Sequence, residues 1–560
     1  MARFNSRGHR AKPAVATVSS PIGTATKKAN TRTFEGGAGY TRDAKTELFL
    51  RATGAFHGGE GSFYESADKR DNRLRELVRT IAIEDPDWGF EFARWLRSEG
   101  HMRTASLMFA VEYVHERLDA EAQEPRTTKY TNRQIIDVVC QRPDEPGEIL
   151  AIWTAWYGRN IPQSVKRGVA DAVRRLYSER SLLKYDTDSK AYRFADVLDL
   201  THPTPSPEKA AWQGLLFSYA LNRRHGRGDD IPSTLDIIRN NASFRARAAE
   251  THSLLCSPDA LRAAGMTWED ALSLAGQVGV DKRKVWEAMI PSMGIMALIR
   301  NLRNFDQAGV SDEVAMTVME RLANPEEIAR SKQFPFRFLA AHRATKDSLR
   351  WAWPLEQALG HSLVNVPRLD GRTLILVDRS PSMFPEYDHW FPTLKKSDIS
   401  RADQAAVFGA ALAVRAEQPT LVEFGGGSRV ITFQRGTSVL KLVDKFYRDP
   451  GTDIPSAVKK HYDGHDRVVI LTDEQTRPGS LPSNMWRSYG GMRETEVNDL
   501  VPKHVPVFMW NFAGYSAAAM PSGNEARFHL GGLTDKAFQL IPILESGVNG
   551  SWPWELDSTP

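Results

Sequence analysis

Five residues of this chain carry oxygen donors in an order that suits a metal ion: Asp378, Ser380, Ser382, Thr452 and Asp473. The first three stand in Asp378-Arg379-Ser380-Pro381-Ser382, directly after the apolar run 373–377. Side chains two residues apart point the same way along an extended segment, so all three can converge on one point. Thr452 follows in Gly451-Thr452-Asp453, and Asp473 closes a second apolar run, 467–472. Carboxylate and hydroxyl oxygens are hard ligands, which favours Mg2+ or Mn2+ over zinc. Mg2+ keeps its waters readily, so the carboxylates can act through water, leaving one position open for an incoming carboxylate. A lone D-x-S-x-S is common, and reads as well as a set of caps on a turn and the helix behind it. Here G-T-D and then a strand ending in T-D follow in order, and that succession is the stronger signal.

Such donors need strand ends on one edge of a sheet. Apolar runs at 373–377, 420–424, 467–472 and 505–511 read as strands, mostly buried, with a further strand at 429–433. Helices are expected over 404–416 and 454–462. Strands alternating with helices make a parallel, doubly wound α/β domain over 366–560, where ligands gather at the carboxyl ends of strands. Upstream, 34–365 reads as helix after helix, with apolar residues at helical spacing such as Leu74, Leu77, Val78 and Ile81. Breaks fall before Pro86, Pro143, Pro162, Pro203, Pro232, Pro291 and Pro325. Many short helices without strand signals predict an α-solenoid of stacked pairs, although no clean repeat period appears.

At 560 residues, with 41% hydrophobic and 25% charged residues, the chain needs more than one core and has the composition of a soluble globular protein. It shows neither a membrane-spanning apolar run nor a secretory leader, so no membrane partner is expected. Cys140 and Cys256 are the only cysteines and lie far apart. That argues against a disulfide framework or zinc site and for a reducing, cytoplasmic compartment. The net charge is only +4, yet residues 1–33 hold Arg3, Arg7, Arg10, Lys12, Lys27, Lys28 and Arg32 and no acid. This stretch reads as a disordered basic tail, serving either nucleic acid or solubility. No Walker A loop, H-E-x-x-H, C-x-x-C or G-x-S-x-G occurs, so no catalysis is expected.

The D-x-S-x-S…T…D pattern resembles that of von Willebrand factor A domains and their metal-ion-dependent adhesion site (MIDAS), with Pro381 where that family often has glycine. The phrases 194–205 (FADVLDLTHPTP), 293–305 (MGIMALIRNLRNF) and 324–336 (NPEEIARSKQFPF), with Gly36-Gly37 ahead of them, resemble the TROVE module. TROVE followed by an A domain is similar to the Ro autoantigen family. The resemblance implies a ring of HEAT-like helical repeats closed by the A domain. It implies a ribonucleoprotein whose outer surface binds Y-like small RNA and whose hole takes single-stranded ends of misfolded noncoding RNA. In bacteria, the Y RNA tethers such rings to an exoribonuclease, polynucleotide phosphorylase, for RNA quality control and decay.

The residues themselves offer cations for that role. Arg167 and Arg174 lie two helical turns apart, Lys166 and Arg175 flank them, and Lys184 follows. A rigid row of cations contacts successive phosphates without reading sequence, although a solvated helix face looks the same. The resemblance adds His202, in the Asp-Leu-Thr-His-Pro phrase where the family's RNA-contacting histidine lies. Arg300 and Arg303 provide further donors. Arg97 and Arg103 are weaker candidates, and the cluster Arg223, Arg224, His225 and Arg227 could add to the outer charge. Two other function classes compete: a metal-dependent adhesion or assembly module, and a metal-dependent nuclease.

Overall fold

The computed structural model describes residues 29–54, 64–123, 128–364, 366–384, 399–477, 496–521, 526–533, 538–545 and 552–556. Among these, the strands are β1 (Thr31–Arg32), β2 (Ala38–Thr41), β3 (Leu369–Asp378), β4 (Ala416–Phe424), β5 (Ser428–Val430), β6 (Arg467–Thr472), β7 (Val507–Asn511), β8 (Ala517–Ala518) and β9 (Arg527–Gly531). One sheet runs β5-β4-β3-β6-β7-β9, and β1-β2-β8 form a small antiparallel one.

Alternation along the strands explains why the large sheet is covered on both faces. Leu374 and Leu376 share a cluster with Val422, Val468, Ile470 and Met509, against helix Ile454–His461. Ile375 and Val377 join Leu421, Val469, Leu471 and Trp510 on the other side, against helix Arg401–Arg415. Successive strand side chains face opposite ways, and here both sets are apolar, so each face must be buried. The second helix starts on a capping box in which Ser400 and Asp403 satisfy each other's backbone N–H groups. All pairings in this sheet are parallel except β4–β5. The strand expected over 429–433 is therefore a short antiparallel edge, because Gly425, Gly426 and Gly427 leave room for a hairpin only. A parallel return needs a crossover of about a dozen residues. The sequence reading also lacked β9.

From Ala44–Gly54 to Leu349–His361 the described residues form α-helix after α-helix, with short 3-10 turns between some of them. Prolines sit in first turns, as Pro86, Pro258, Pro325 and Pro335 do, where a missing N–H breaks no hydrogen bond. Both ends of this array pack on the α/β domain and close a ring. At one end β2 pairs with β8, helix Ala44–Gly54 lies on β9, and helix Pro86–Ser98 meets Pro553–Leu556. Phe49, Trp88, Phe92 and Trp95 there pack with Trp552 and Trp554 at ring separations of 5.0–6.4 Å. At the other end helix Pro335–Ala344 packs on Arg401–Arg415, joined by an Arg343–Asp403 ion pair of 2.9 Å. Residues 1–28 of the expected tail lie outside the described residues. Thr31 and Arg32 are paired in β1, so order begins before residue 34.

Candidate metal centre and nucleic-acid interface

Sheet register brings the metal candidates together. β3 and β6 run parallel with Val377 opposite Leu471, which sets Asp378 beside Thr472 and lets Asp473 emerge at the same edge. Thr472 Oγ1 donates to Asp378 Oδ2 at 2.5 Å, and Ser380 N–H donates to Asp378 Oδ1 at 2.8 Å. The Ser380 and Ser382 hydroxyls lie 3.2 Å apart. Pro381 opens a 3-10 turn, Pro381–Met383, where its fixed φ is welcome and its lost N–H is not needed. The Thr452 loop is stitched to the same edge: Asp449 N–H donates to Arg379 O, Gly426 N–H to Pro450 O, and Arg477 N–H to Thr452 O. All five residues are buried, none more than 1% exposed.

Burial, and then the negative charge of Asp473, pushes the Asp378 carboxyl up to about 7. Burial likewise raises Asp473. Asp473 Oδ2 has no hydrogen-bond partner among the described residues. Leaving a buried acceptor unpaired costs about 1–3 kcal/mol. Two carboxylates, three hydroxyls and one orphaned carboxylate oxygen fit a hard divalent cation, which would neutralise the pair and take up the free lone pairs. Among the described residues no group of three or more His, Cys, Asp or Glu is placed to hold a metal, so a zinc-type centre is not formed there.

Next to this edge lies a network that the sequence reading missed. Glu474 (φ 65°) is fully buried and pairs with Arg42 Nη2 at 2.5 Å, Asn511 Nδ2 at 2.8 Å and the Ala519 N–H at 2.9 Å. Burial alone would raise its carboxyl, but the charges of Arg42 and His529 hold it down at about 2. Only the Glu after Thr-Asp hinted at it, since Arg42 is 432 positions away in the chain.

The RNA candidates fall on separate parts of the helical array. Helix Gln163–Leu176 buries Val165, Val169, Ala172 and Val173, with Leu176 half-buried. Arg167 is exposed and Lys166 half-buried, and neither meets a carboxylate among the described residues. Arg174 lies 3.7 Å from Asp171. Arg175 is committed elsewhere, donating to Asp137 O, Asp137 Oδ1 and Cys140 O at 2.7–2.8 Å. Lys184 is exposed over the Tyr185 ring. His202 is exposed and caps helix Phe194–Thr201 in the left-handed region, φ 47°. Arg300 and Arg303 are exposed on helix Ile295–Ala308, which packs on a different set of helices from Gln163–Leu176. Arg97 and Arg103 are tied to the buried Glu145. Arg223, Arg224 and His225 each meet an aspartate, Asp186, Asp196 and Asp199, which cancels much of the outer charge expected of them.

A TROVE domain family model matches residues 253–356. Telomerase protein component 1 of Mus musculus is 42% identical over 78 residues, and that of Rattus norvegicus 41% over 78. Each match is 14% of this chain and 3% of the relative, so the chain spans only a small fraction of their length. The crystal structure of the Deinococcus radiodurans Ro (RSR) protein covers 90% of this chain and 100% of its own at TM-score 0.58 and 16% identity, a likeness of fold.

Proposed function

We propose, from the premise that this chain is a TROVE-domain protein with the Ro fold, that it is a ring that binds structured noncoding RNA without transforming it. The observation that carries this is the TROVE match lying inside a closed helical array whose exposed Lys184, Arg167, Arg300 and Arg303 lack acidic partners among the described residues. Unpaired surface guanidinium and ammonium groups on rigid helices contact phosphates at little conformational cost. In the finer form of the proposal, a Y-like small RNA lies on the outer surface and a misfolded RNA enters by its single-stranded end. An exoribonuclease such as polynucleotide phosphorylase then acts on RNA that the ring delivers.

The A-domain centre is proposed as an accessory that holds Mg2+ or Mn2+ on Asp378, Ser380, Ser382, Thr452 and Asp473. The cation would neutralise the carboxylate pair and present a site for a partner's carboxylate. A cytoplasmic setting is proposed on the two free thiols, Cys140 and Cys256, and no helix among the described residues is long and apolar enough to cross a membrane.

Crosslinking in cells followed by sequencing of the copurified RNA tests the reading, with a discrete set of small RNAs expected. Recovery of no enriched RNA would sink it. Cleavage of that RNA by the purified chain with Mn2+, abolished by Asp378→Ala, would instead favour a nuclease. Capture of a protein partner lost in Asp378→Ala but kept in Arg167→Glu/Arg174→Glu would favour an adhesion or assembly module.

A further inference from the structure

The end of the large sheet away from the metal candidates holds a cavity of about 300 Å3. Its rim is made by the entry to β3, the last turn of helix Arg401–Arg415, the start of β4, and the segment after β5 that runs back beside β4. Parallel β3 and β4 begin here and end at the metal edge, about 25 Å away at about 3.3 Å per residue. The cavity shares no residue with the metal candidates.

Arg368, Arg415 and Arg435 all line it, and all three are exposed. None forms an ion pair with a carboxylate among the described residues. Arg415 Nη2 donates to Val364 O at 3.1 Å, and Arg435 Nη2 to Glu417 O at 3.0 Å. A guanidinium has five N–H donors, so each keeps most of its fork. Arg368 donates to no described residue. Glu417 is the one acid on the rim among the described residues, and its Oε2 accepts from the Gly371 N–H at 2.7 Å. Three guanidinium charges against one carboxylate leave +2. A cleft lined by one sign of charge concentrates ligands of the other sign. The rest of the wall is apolar: Phe433 is half-buried and packs on the domain core, and Val414 is 40% exposed.

Charge and wall together select a ligand class. Guanidinium forks match phosphate oxygens in pairs. A phosphate monoester carries about −1.5 to −2 at neutral pH, which the rim balances. A phosphodiester inside a nucleic-acid chain brings only about half of that. A flat base suits an aromatic wall, and about 300 Å3 is the small end of ligand sites, room for about one nucleotide.

We propose that this cavity binds the phosphate-monoester end of a nucleotide, with the phosphate on Arg368, Arg415 and Arg435 and the base against Phe433. A free nucleoside 5′-monophosphate and the 5′-phosphorylated end of an RNA share this chemistry. The site does not depend on the helical array binding RNA. Arg415 also holds Val364, which lies between the last array helix, Leu349–His361, and β3. An occupant therefore fastens the linker that joins the array to the A domain.

The test is calorimetry on the full chain with AMP, adenosine and inorganic phosphate, beside anisotropy of a 3′-labelled adenosine tetramer with and without a 5′-phosphate. The variants are Arg368→Ala, Arg368→Ala/Arg435→Ala and Phe433→Leu, with circular dichroism to confirm folding. Arg368 has no hydrogen bond to lose, so its variant keeps the fold. AMP is expected to bind saturably, phosphate more weakly and adenosine not at all. Arg368→Ala should weaken AMP about tenfold and the double variant about a hundredfold, the scale of hydrogen bonds between charged groups. Phe433→Leu should weaken AMP about tenfold and leave phosphate unchanged. The 5′-phosphate should tighten the tetramer in the wild type and in Arg167→Glu/Arg174→Glu, and not in the double variant. AMP binding tighter than the tetramer assigns the site to the free nucleotide, and the reverse to an RNA end; both support it. No saturable AMP binding together with no effect of the 5′-phosphate overturns the proposal, as does AMP affinity unchanged in the double variant. Equal affinity for AMP and phosphate, unmoved by Phe433→Leu, overturns the nucleotide assignment.

Discussion

Arg167 and Arg175 stand two turns apart on one helix, yet their removal should have opposite consequences. Arg167 and its neighbour Lys166 meet no carboxylate among the described residues, so their charge is available to a ligand. Arg175 spends its guanidinium on the C-terminal end of helix Asn132–Val139, through Asp137 and the Cys140 carbonyl. Each phosphate contact contributes about 0.9 to the slope of log affinity against log salt on duplex and about 0.7 on single strands. Lys166→Ala/Arg167→Ala should therefore flatten that slope by about 1.4–1.8, or about tenfold less affinity lost over a fourfold rise in salt. Stability should hold within about 0.5 kcal/mol, as for surface substitutions generally. Arg175→Ala should do the reverse. It keeps the slope and loses about 1–2 kcal/mol of stability, allowing for a half-exposed group whose charge water screens. The assay is fluorescence anisotropy with end-labelled copurified RNA from about 50 to about 200 mM salt, beside urea denaturation of each variant. If Arg175→Ala flattens the slope as much as the double variant and leaves stability intact, the assignment of these cations is wrong.

Mg2+ affinity should rise with pH by about tenfold per unit until about 7, because the cation must displace the proton that burial keeps on Asp378. Calorimetry in two buffers of different ionisation enthalpy should find about one proton released per Mg2+ on the acid side, and a flat profile would contradict the paired-carboxylate geometry. Without the cation, the raised Asp378 gives a stability contribution that is complete below its ordinary 3.8 and lost as pH rises through about 7, so added Mg2+ should raise Tm most at neutral pH. Glu474→Gln takes the carboxylate from the buried Arg42 guanidinium and should cost about 3–5 kcal/mol in urea titrations; a loss under about 1 kcal/mol would refute the network's role. Since Glu474 is depressed, its contribution is present above its ordinary 4.5 and lost as pH falls through about 2. Trp552→Ala should cost about 3–5 kcal/mol, with hydrogen exchange speeding up in Pro86–Ser98 and not in Pro335–Ala344; uniform speeding would argue against a separable seam.

The metal candidates were legible because their signal is local. Each follows a continuous apolar run, and parallel register then delivers the strand ends to one edge. The Arg42–Glu474 pair was not legible, since a residue near the first hairpin and a strand end at 472 show no sequence relation until the ring closes. The same cause misassigned cations. Arg175 and Arg223 look free along their own helices, and only the neighbouring helix reveals Asp137 and Asp186 across from them. The antiparallel β5 could have been read from the three-glycine turn, whereas the later strand, Arg527–Gly531, mixes Arg, His and Gly with its apolar residues and so hides in the sequence.

The pairing of Tyr40 with Ala518 also sets a clock. At about 5–20 residues per second, the partner of the first hairpin leaves the ribosome about half a minute to a minute and a half after the hairpin itself. Trp552, which covers Phe49 and Trp88, comes later still. During that interval the helices can form one by one on local contacts, while their aromatic seam stays open to water and to other nascent chains. Closure of this seam thus waits for the tryptophans at 552 and 554, and synthesis that stalls before them leaves a sticky half-built arc in place of a shorter ring.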